Sequence, residues 1–90
     1  MKFDFRWNEW NIEHIATHGI TSDVAEYAVA HAHRPYPRFV GDGRFIVRGN
    51  APDGTFLQVV YIFSPADVIY VIYARPLTYT EKRRYRRGKC

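Results

Sequence analysis

The sequence predicts an α+β fold in a single domain spanning residues 1–90, and three observations point to it. The composition is 47% apolar and 17% aromatic, which is enough to fill one small core. Period-two patterns predict strands, and periodic apolar residues behind capping signals predict helices. The last strands follow one another closely, which predicts a small antiparallel sheet with helices packed against it. The expected order is β-α-α-β-β-β-α.

The first strand and the first helix are predicted in the N-terminal segment. Residues 2–7 (KFDFRW) alternate between apolar and polar side chains, as in a half-buried strand. Asn8 is expected to cap a helix over about Glu9–His18, which Gly19 ends in a left-handed conformation. The predicted apolar face of this helix is Ile12, Ile15 and Ala16. We also expect Trp7 and Trp10 to be core residues.

A second helix is predicted to begin at Thr21 or Ser22, with Asp23 in its first turn, and to run to about His31. Its predicted inward residues are Val24, Ala25, Ala28 and Val29. Residues 33–43 (HRPYPRFVGDG) contain two prolines and two glycines and are interpreted as a loop.

The second half of the chain is predicted to form the sheet and a last helix. The predicted strands are Arg44–Gly49, Phe56–Phe63 and Val68–Ala74. The third is apolar on both faces, which is typical of a central buried strand, and Pro76 is expected to end its pairing. Thr78 and Glu81 have the spacing of a capping box, so the basic segment behind them is expected to be helical.

Positive charge is concentrated in residues 80–89 (TEKRRYRRGK). This segment holds six of the 13 Lys and Arg residues and one acidic residue, which leaves seven basic and eight acidic residues elsewhere. A local field of one sign favours a polyanion or an acidic partner surface, although a solvated, solubilising helix is the alternative. We expect a helix charged on every side to bury little apolar area, apart from Tyr85.

Two other groups of residues have more than one interpretation. His14 and His18 are spaced to chelate a metal from one helix face, but no third ligand stands at a recognisable spacing, which favours a structural role. His18 is also placed to interact with the helix C-terminus or to carry a proton. Arg44 and Arg48 share one strand face, either as solvent-facing edge charges or as part of a basic groove beside Arg75.

The single cysteine, Cys90, has no partner for an intramolecular disulfide. No secretion signal opens the sequence, and no apolar run approaches the roughly 20 residues that a membrane-spanning helix needs. We therefore expect a cytoplasmic protein with no membrane partner.

Two segments, FRWNEWNIEHIATHGIT and YARPLTYTEKRRYRR, resemble the BrnT-like toxins, a branch of the RelE-like ribonuclease superfamily. GRFIVRGNAPDGTFLQVVYIF resembles the middle hairpin of that family, so only the loop from His33 to Asp42 lies outside the resemblance. The most specific parts are His18–Thr21 and Ala74–Tyr85.

The resemblance implies a RelE-like fold and a bacterial type II toxin that cleaves RNA and so inhibits translation. In such cleavage the RNA 2′-OH attacks the adjacent phosphate, which needs cations and a proton carrier but no metal or other cofactor. The implied partner is a ribbon-helix-helix antitoxin (BrnA-like), and the expected assemblies are a homodimer or a toxin–antitoxin heterotetramer.

The expected catalytic residues are Arg75, Glu81, Tyr85 and His18. The expected RNA-binding residues are Arg44, Arg48, Lys82, Arg83, Arg84, Arg86 and Arg87. Two positions depart from the family pattern, with Thr17 in place of a common lysine and Tyr70 in place of a frequent arginine. These departures favour the alternative, a catalytically degenerate module that binds RNA or an antitoxin-like partner without cutting.

Overall fold

The computed structural model describes residues 4–88, and the side chains of residues 4–86. A five-stranded sheet with the spatial order β1-β5-β4-β3-β2 forms the centre of the fold. The strands are β1 (Phe5–Arg6), β2 (Arg38–Gly41), β3 (Arg44–Asn50), β4 (Phe56–Ser64) and β5 (Val68–Pro76). The helices are α1 (Glu9–Ala16), α2 (Ser22–Ala30) and α3 (Tyr79–Gly88). The α+β class is thus confirmed.

The sheet is mixed, so the expectation of a purely antiparallel sheet is wrong for one pair of strands. β1 runs parallel to β5, with Phe5 opposite Ile69. The order of elements also gains β2, which lies inside the stretch interpreted as a loop. Asp42 and Gly43 have φ of 54° and 73°, so the Gly-Asp-Gly sequence makes a tight hairpin turn from β2 into β3. The prolines and glycines of residues 33–43 indicated a loop, and the short edge strand among them was therefore not predicted.

The central strand is β4, not β5 as the sequence predicted. β4 pairs with β3 over seven residues and with β5 along most of its length. Among the described strands, β4 alone lies beside the C-terminal half of β5, and β5 continues past the predicted end to Pro76. The N–H of Leu77 then donates to the carbonyl of Phe56 at 3.0 Å, so pairing does not stop at the proline. Proline is tolerated there because that segment is an edge.

The two faces of the sheet have different surroundings. The core face packs against α1 and α2 and carries Val47, Leu57, Val59, Val71 and Ala74, all fully buried. The register places a second set of residues on the opposite side, here called the open face. The open-face residues are Arg44, Ile46, Arg48, Gln58, Val60, Ile62, Tyr70, Tyr73 and Arg75.

The start of α1 is confirmed, but its buried side differs from the prediction. Asn8 caps the helix in a reciprocal capping box with Asn11, and Gly19 has the left-handed φ of 76°. Ile15 is buried, whereas Ile12 is 45% exposed and Ala16 is also exposed. Asn11 takes the buried place, because its Nδ2 donates to the carbonyl of Arg6 at 3.1 Å and so anchors the helix to β1.

Most of the predictions for α2 and the tryptophans are confirmed. Thr21 is the N-cap, and the predicted inward residues Ala25, Ala28 and Val29 are buried. Trp7 packs against the core and donates its Nε1–H to Glu26 at 2.6 Å. Trp10 is 54% exposed, so its assignment to the core was wrong. None of the helices within residues 4–88 is long and apolar enough to cross a membrane.

Candidate functional site

Two arginines and a glutamine stand side by side across three strands of the open face. Gln58 of β4 pairs with Arg48 of β3 on one side and with Arg75 of β5 on the other. The Nε–H of Arg48 donates to Oε1 of Gln58 at 2.9 Å, and Gln58 is 7% exposed. The register of the sheet therefore brings together two residues that lie 27 positions apart in the sequence.

Glu81 of α3 joins both arginines. Its Oε1 and Oε2 accept from Nη1 and Nη2 of Arg75, each at 2.8 Å, which is the bidentate arginine–carboxylate geometry. Oε2 also accepts from Nη2 of Arg48 at 3.4 Å, and Oε1 from the N–H of Thr78 at 2.9 Å. The N–H of Glu81 donates to Oγ1 of Thr78, so the predicted capping box is confirmed. This arginine–glutamate network (Arg48, Arg75, Glu81) holds the start of α3 on the open face.

The network sets the protonation of its members. Hydrogen bonds from Arg75 lower the pKa of Glu81 from 4.5 to about 2, with a further lowering by the backbone of Thr78 and the charge of Arg48. The hydrogen bond with Glu81 raises the pKa of Arg75. Near neutral pH, Glu81 is therefore an anion whose two oxygens already accept four hydrogen bonds. The geometry gives Glu81 a positioning role, and its use as a proton carrier stays a prediction with little support.

Tyr85 anchors the middle of α3. It is 6% exposed, and its ring lies 5.7 Å from that of Phe56 and 6.3 Å from that of Tyr36. The expectation that Tyr85 is the buried exception on this helix is confirmed. Burial, and to a lesser extent Tyr36, raises its pKa. A general base would need a lowered pKa, so the structure favours a hydroxyl that keeps its proton.

His18 contacts the open face through Tyr73. Its ring meets that of Tyr73 edge-on at 5.2 Å, and Tyr73 precedes Arg75 by two residues on the same face. The ring of His14 lies 6.0 Å from the same tyrosine. Among the described residues, no group of three or more His, Cys, Asp and Glu side chains is placed to hold a metal ion.

Arg44 is not brought to the network. It lies on the same strand face as Arg48 but four residues away, which is about 13 Å along a strand. Its Nη2 lies 3.3 Å from Oδ2 of Asp42, and its side chain is 49% exposed. Of the two predicted arginines of β3, only Arg48 therefore lies beside Arg75.

The basic side chains of α3 have different neighbours. The guanidinium of Arg83 lies 5.8 Å from the ring centre of the exposed Tyr79, and that of Arg86 lies 5.4 Å from that of Phe56. Lys82 is half-buried, and the side chain of Arg87 lies outside the described residues. The basic surface of α3 thus contacts two aromatic rings, that of Tyr79 in the first turn of the helix and that of Phe56 on β4.

A pocket of about 270 Å³ opens between α3 and the segment that precedes β2. This pocket, here called the arginine pocket, is lined by Arg34, Pro35, Tyr36, Arg38, Arg48, Arg84 and Tyr85. Arg48, Arg84 and Tyr85 were predicted from the sequence to be site residues, whereas the loop residues Arg34, Pro35, Tyr36 and Arg38 were not. The available signal was the sequence RPYPR, in which two arginines flank a tyrosine between prolines.

The two departures from the toxin pattern have local structural roles. Thr17 caps α1, and its hydroxyl donates to the carbonyl of His14 at 2.7 Å. The hydroxyl of Tyr70 donates to Oδ1 of Asn8 at 3.2 Å, and its ring stacks on Trp10 with centres 6.3 Å apart. Both residues thus fix α1, and neither supplies a cation to the open face.

No protein-family model matches the chain, and neither a curated protein nor a solved structure matches it.

Proposed function

We propose that this protein is an endoribonuclease toxin of a toxin–antitoxin pair, with RNA bound across the arginine–glutamate network and along α3. Cleavage proceeds by attack of a 2′-OH on the adjacent phosphate and inhibits translation. One observation supports this most: Arg48, predicted from the middle hairpin, meets Arg75 and Glu81, predicted from the C-terminal segment, in one network. The proposed partner is a ribbon-helix-helix antitoxin, and the proposed compartment is the cytoplasm.

The chemistry needs positive charge where the phosphate gains negative charge. Arg48 and Arg75 together carry two positive charges against the single negative charge of Glu81, so one positive charge remains in the network. Guanidinium groups donate to phosphate oxygens in the same bidentate way as to a carboxylate. The two arginines are held rigidly by Gln58 and Glu81, and such preorganised donors stabilise a developing charge efficiently.

A proton carrier is also required, and the geometry favours His18 among the nominated residues. Glu81 is fully occupied, and the raised pKa of Tyr85 suits a donor of a hydrogen bond rather than a base. Histidine is the residue type whose proton exchange operates near neutral pH. The ring of His18 contacts Tyr73, which precedes Arg75 by two residues on the open face, so the substrate phosphate is expected near Tyr73.

The test is cleavage of a labelled RNA by the purified protein, compared with the same RNA carrying 2′-deoxyribose at the cleaved position. We expect products that end in a 2′,3′-cyclic phosphate, no cutting of the 2′-deoxy substrate, and a strong loss of rate in Arg48→Gln and His18→Gln. Arg6→Gln is the matched control, because Arg6 is exposed on β1 and pairs with Tyr70, five residues before Arg75 on β5. Cutting of the 2′-deoxy substrate at the normal rate would refute this mechanism.

The second candidate is a module that binds RNA or an antitoxin-like partner without cutting. The roles of Thr17 and Tyr70 favour it, because both residues serve the structure of α1 where the toxins often have a cation. Expression in bacteria separates the two candidates. Growth arrest that Arg48→Gln relieves supports the toxin, and normal growth at confirmed folded expression supports the binding module.

A further inference from the structure

The arginine pocket is distinct from the network in which cleavage is proposed, although Arg48 belongs to both. Its other charged walls are Arg34 and Arg38 from the chain before and within β2, and Arg84 from α3. Among the described residues, no carboxylate oxygen lies within 4.0 Å of the guanidinium groups of these three arginines. Three cations gathered around one space repel one another, and an anion in that space would remove the repulsion.

We propose that the arginine pocket binds the dianionic phosphate monoester of a nucleotide, such as the 5′-phosphate at an RNA end. The charge balance favours a monoester over the phosphodiesters inside an RNA strand. Arg34, Arg38 and Arg84 carry three positive charges, and Arg48 adds one that it shares with Glu81. A terminal phosphate carries between one and two negative charges near neutral pH, whereas an internal phosphodiester carries only one.

The size and the aromatic walls of the pocket fit this ligand. Pockets for drug-sized ligands have volumes of about 300–1,000 Å³, so a pocket of about 270 Å³ suits one phosphate with its sugar and is too small for a duplex. Tyr36 and Tyr85 line the same space, and the guanidinium of Arg38 lies 5.6 Å from the ring centre of Tyr36. Guanidinium groups arranged around the pocket can donate to several phosphate oxygens at once.

This site would give the protein a preference for one kind of RNA. The arginine pocket adjoins the arginine–glutamate network through Arg48, so an RNA whose 5′-phosphate lies in the pocket has its next nucleotides directed to the network. The identification of the nucleotide as an RNA end rests on the proposed function. The binding of a phosphate monoester does not, because the pocket is present whether or not the protein cuts RNA.

The test compares ligands that differ only in the terminal phosphate. Uridine 5′-monophosphate is compared with uridine by ³¹P and ¹H NMR titration, and a 5′-phosphorylated oligouridylate is compared with its 5′-hydroxyl form. We expect the phosphorylated form of the oligonucleotide to bind at least about tenfold more tightly, which corresponds to one charge-assisted contact. The double variant Arg34→Gln/Arg38→Gln should remove this difference, and Arg6→Gln should keep it.

Arg84→Gln provides an independent test from the opposite wall of the pocket, because it changes α3 and leaves the loop intact. Equal binding of the phosphorylated and hydroxyl forms would overturn the proposal, as would a preference that survives in both the double variant and Arg84→Gln. Binding of uridine 5′-monophosphate without any RNA cleavage would keep this site and reject the nuclease. Cleavage by a protein that binds the phosphorylated and hydroxyl forms equally would keep the nuclease and reject this site.

Discussion

Replacing Glu81 with glutamine tests whether this carboxylate fastens α3 to the sheet. The amide has the same shape, but it removes the negative charge that Arg48 and Arg75 share. A pKa lowered from 4.5 to about 2 corresponds to at most about 3 kcal/mol of stability at pH 7. The side chains of the pair are 19% and 23% exposed, so solvent screening reduces the expected loss to about 1–2 kcal/mol.

The effect on melting follows from the size of the domain. For about 60–100 residues, 1 kcal/mol shifts the Tm by roughly 4–8 °C, so Glu81→Gln is expected to lower the Tm by about 5–15 °C at pH 7. The folded-state pKa of Glu81 lies below the unfolded value, so its contribution is complete above about pH 4.5 and is lost as the pH falls towards 2. The Tm difference between the wild type and the variant should therefore shrink over that range.

The measurement is thermal denaturation followed by circular dichroism at several pH values. Glu13→Gln is the matched control, because Glu13 is exposed in the middle of α1 and its replacement makes the same change in net charge. A Tm within about 2 °C of the control at every pH would show that the network does not hold α3. Loss of RNA cleavage with an unchanged Tm would instead identify Glu81 as a catalytic group.

Three further predictions concern α3 and the histidine pair. Tyr85→Ala should lower the free energy of unfolding by about 3 kcal/mol in urea denaturation because it empties the space beside Phe56, whereas Tyr85→Phe should cost about 1 kcal/mol or less. Equal losses in the two variants would contradict a packing role. The logarithm of the RNA-binding constant should fall with the logarithm of the salt concentration with a slope near −3, for about four phosphate contacts on a single strand. Replacing Arg83 and one other α3 cation should make this slope shallower by about 1.4. An unchanged slope would exclude α3 as the RNA contact. A chelator should leave the Tm unchanged, since the described residues provide no third metal ligand beside His14 and His18. A decrease of the Tm that zinc reverses would support a metal site.

Local signals in the sequence predicted the helices well because each depends on neighbouring residues. The caps at Asn8 and Thr21 and the capping box before α3 are formed by side chains within three residues of the groups they bind. The buried side of α1 was not predictable in this way. Asn11 is buried because it bonds the carbonyl of Arg6 in β1, and an apolar-face rule cannot anticipate a polar residue that is satisfied by tertiary structure.

The sheet and the site show the same limit at longer range. The parallel pairing of β1 with β5 joins segments more than 60 residues apart, and no local pattern records it. Arg48 and Arg75 could be nominated by their residue type, but only the register through Gln58 places them side by side. The part of the pocket built by Arg34 and its neighbours was missed because a segment with two prolines indicates a loop and says nothing about what the loop faces.

The bidentate contact between Arg75 and Glu81 makes one last prediction about how RNA binds. A carboxylate that accepts from both Nη groups occupies the position that a phosphate would take on the same guanidinium. RNA must therefore either displace Glu81 or use the remaining donors of the two arginines. Displacement of Glu81 leaves α3 attached, because Tyr85 holds the helix separately.

If the phosphate displaces Glu81, the Glu81→Gln variant lacks the competing anion, and an interaction of about 1 kcal/mol no longer has to be broken. This variant should then bind a non-cleavable 2′-deoxy oligonucleotide about three- to tenfold more tightly than Glu13→Gln. Fluorescence anisotropy at a fixed salt concentration measures this difference. Binding equal to that of Glu13→Gln would mean that the phosphate approaches the arginines from the side that Glu81 leaves open.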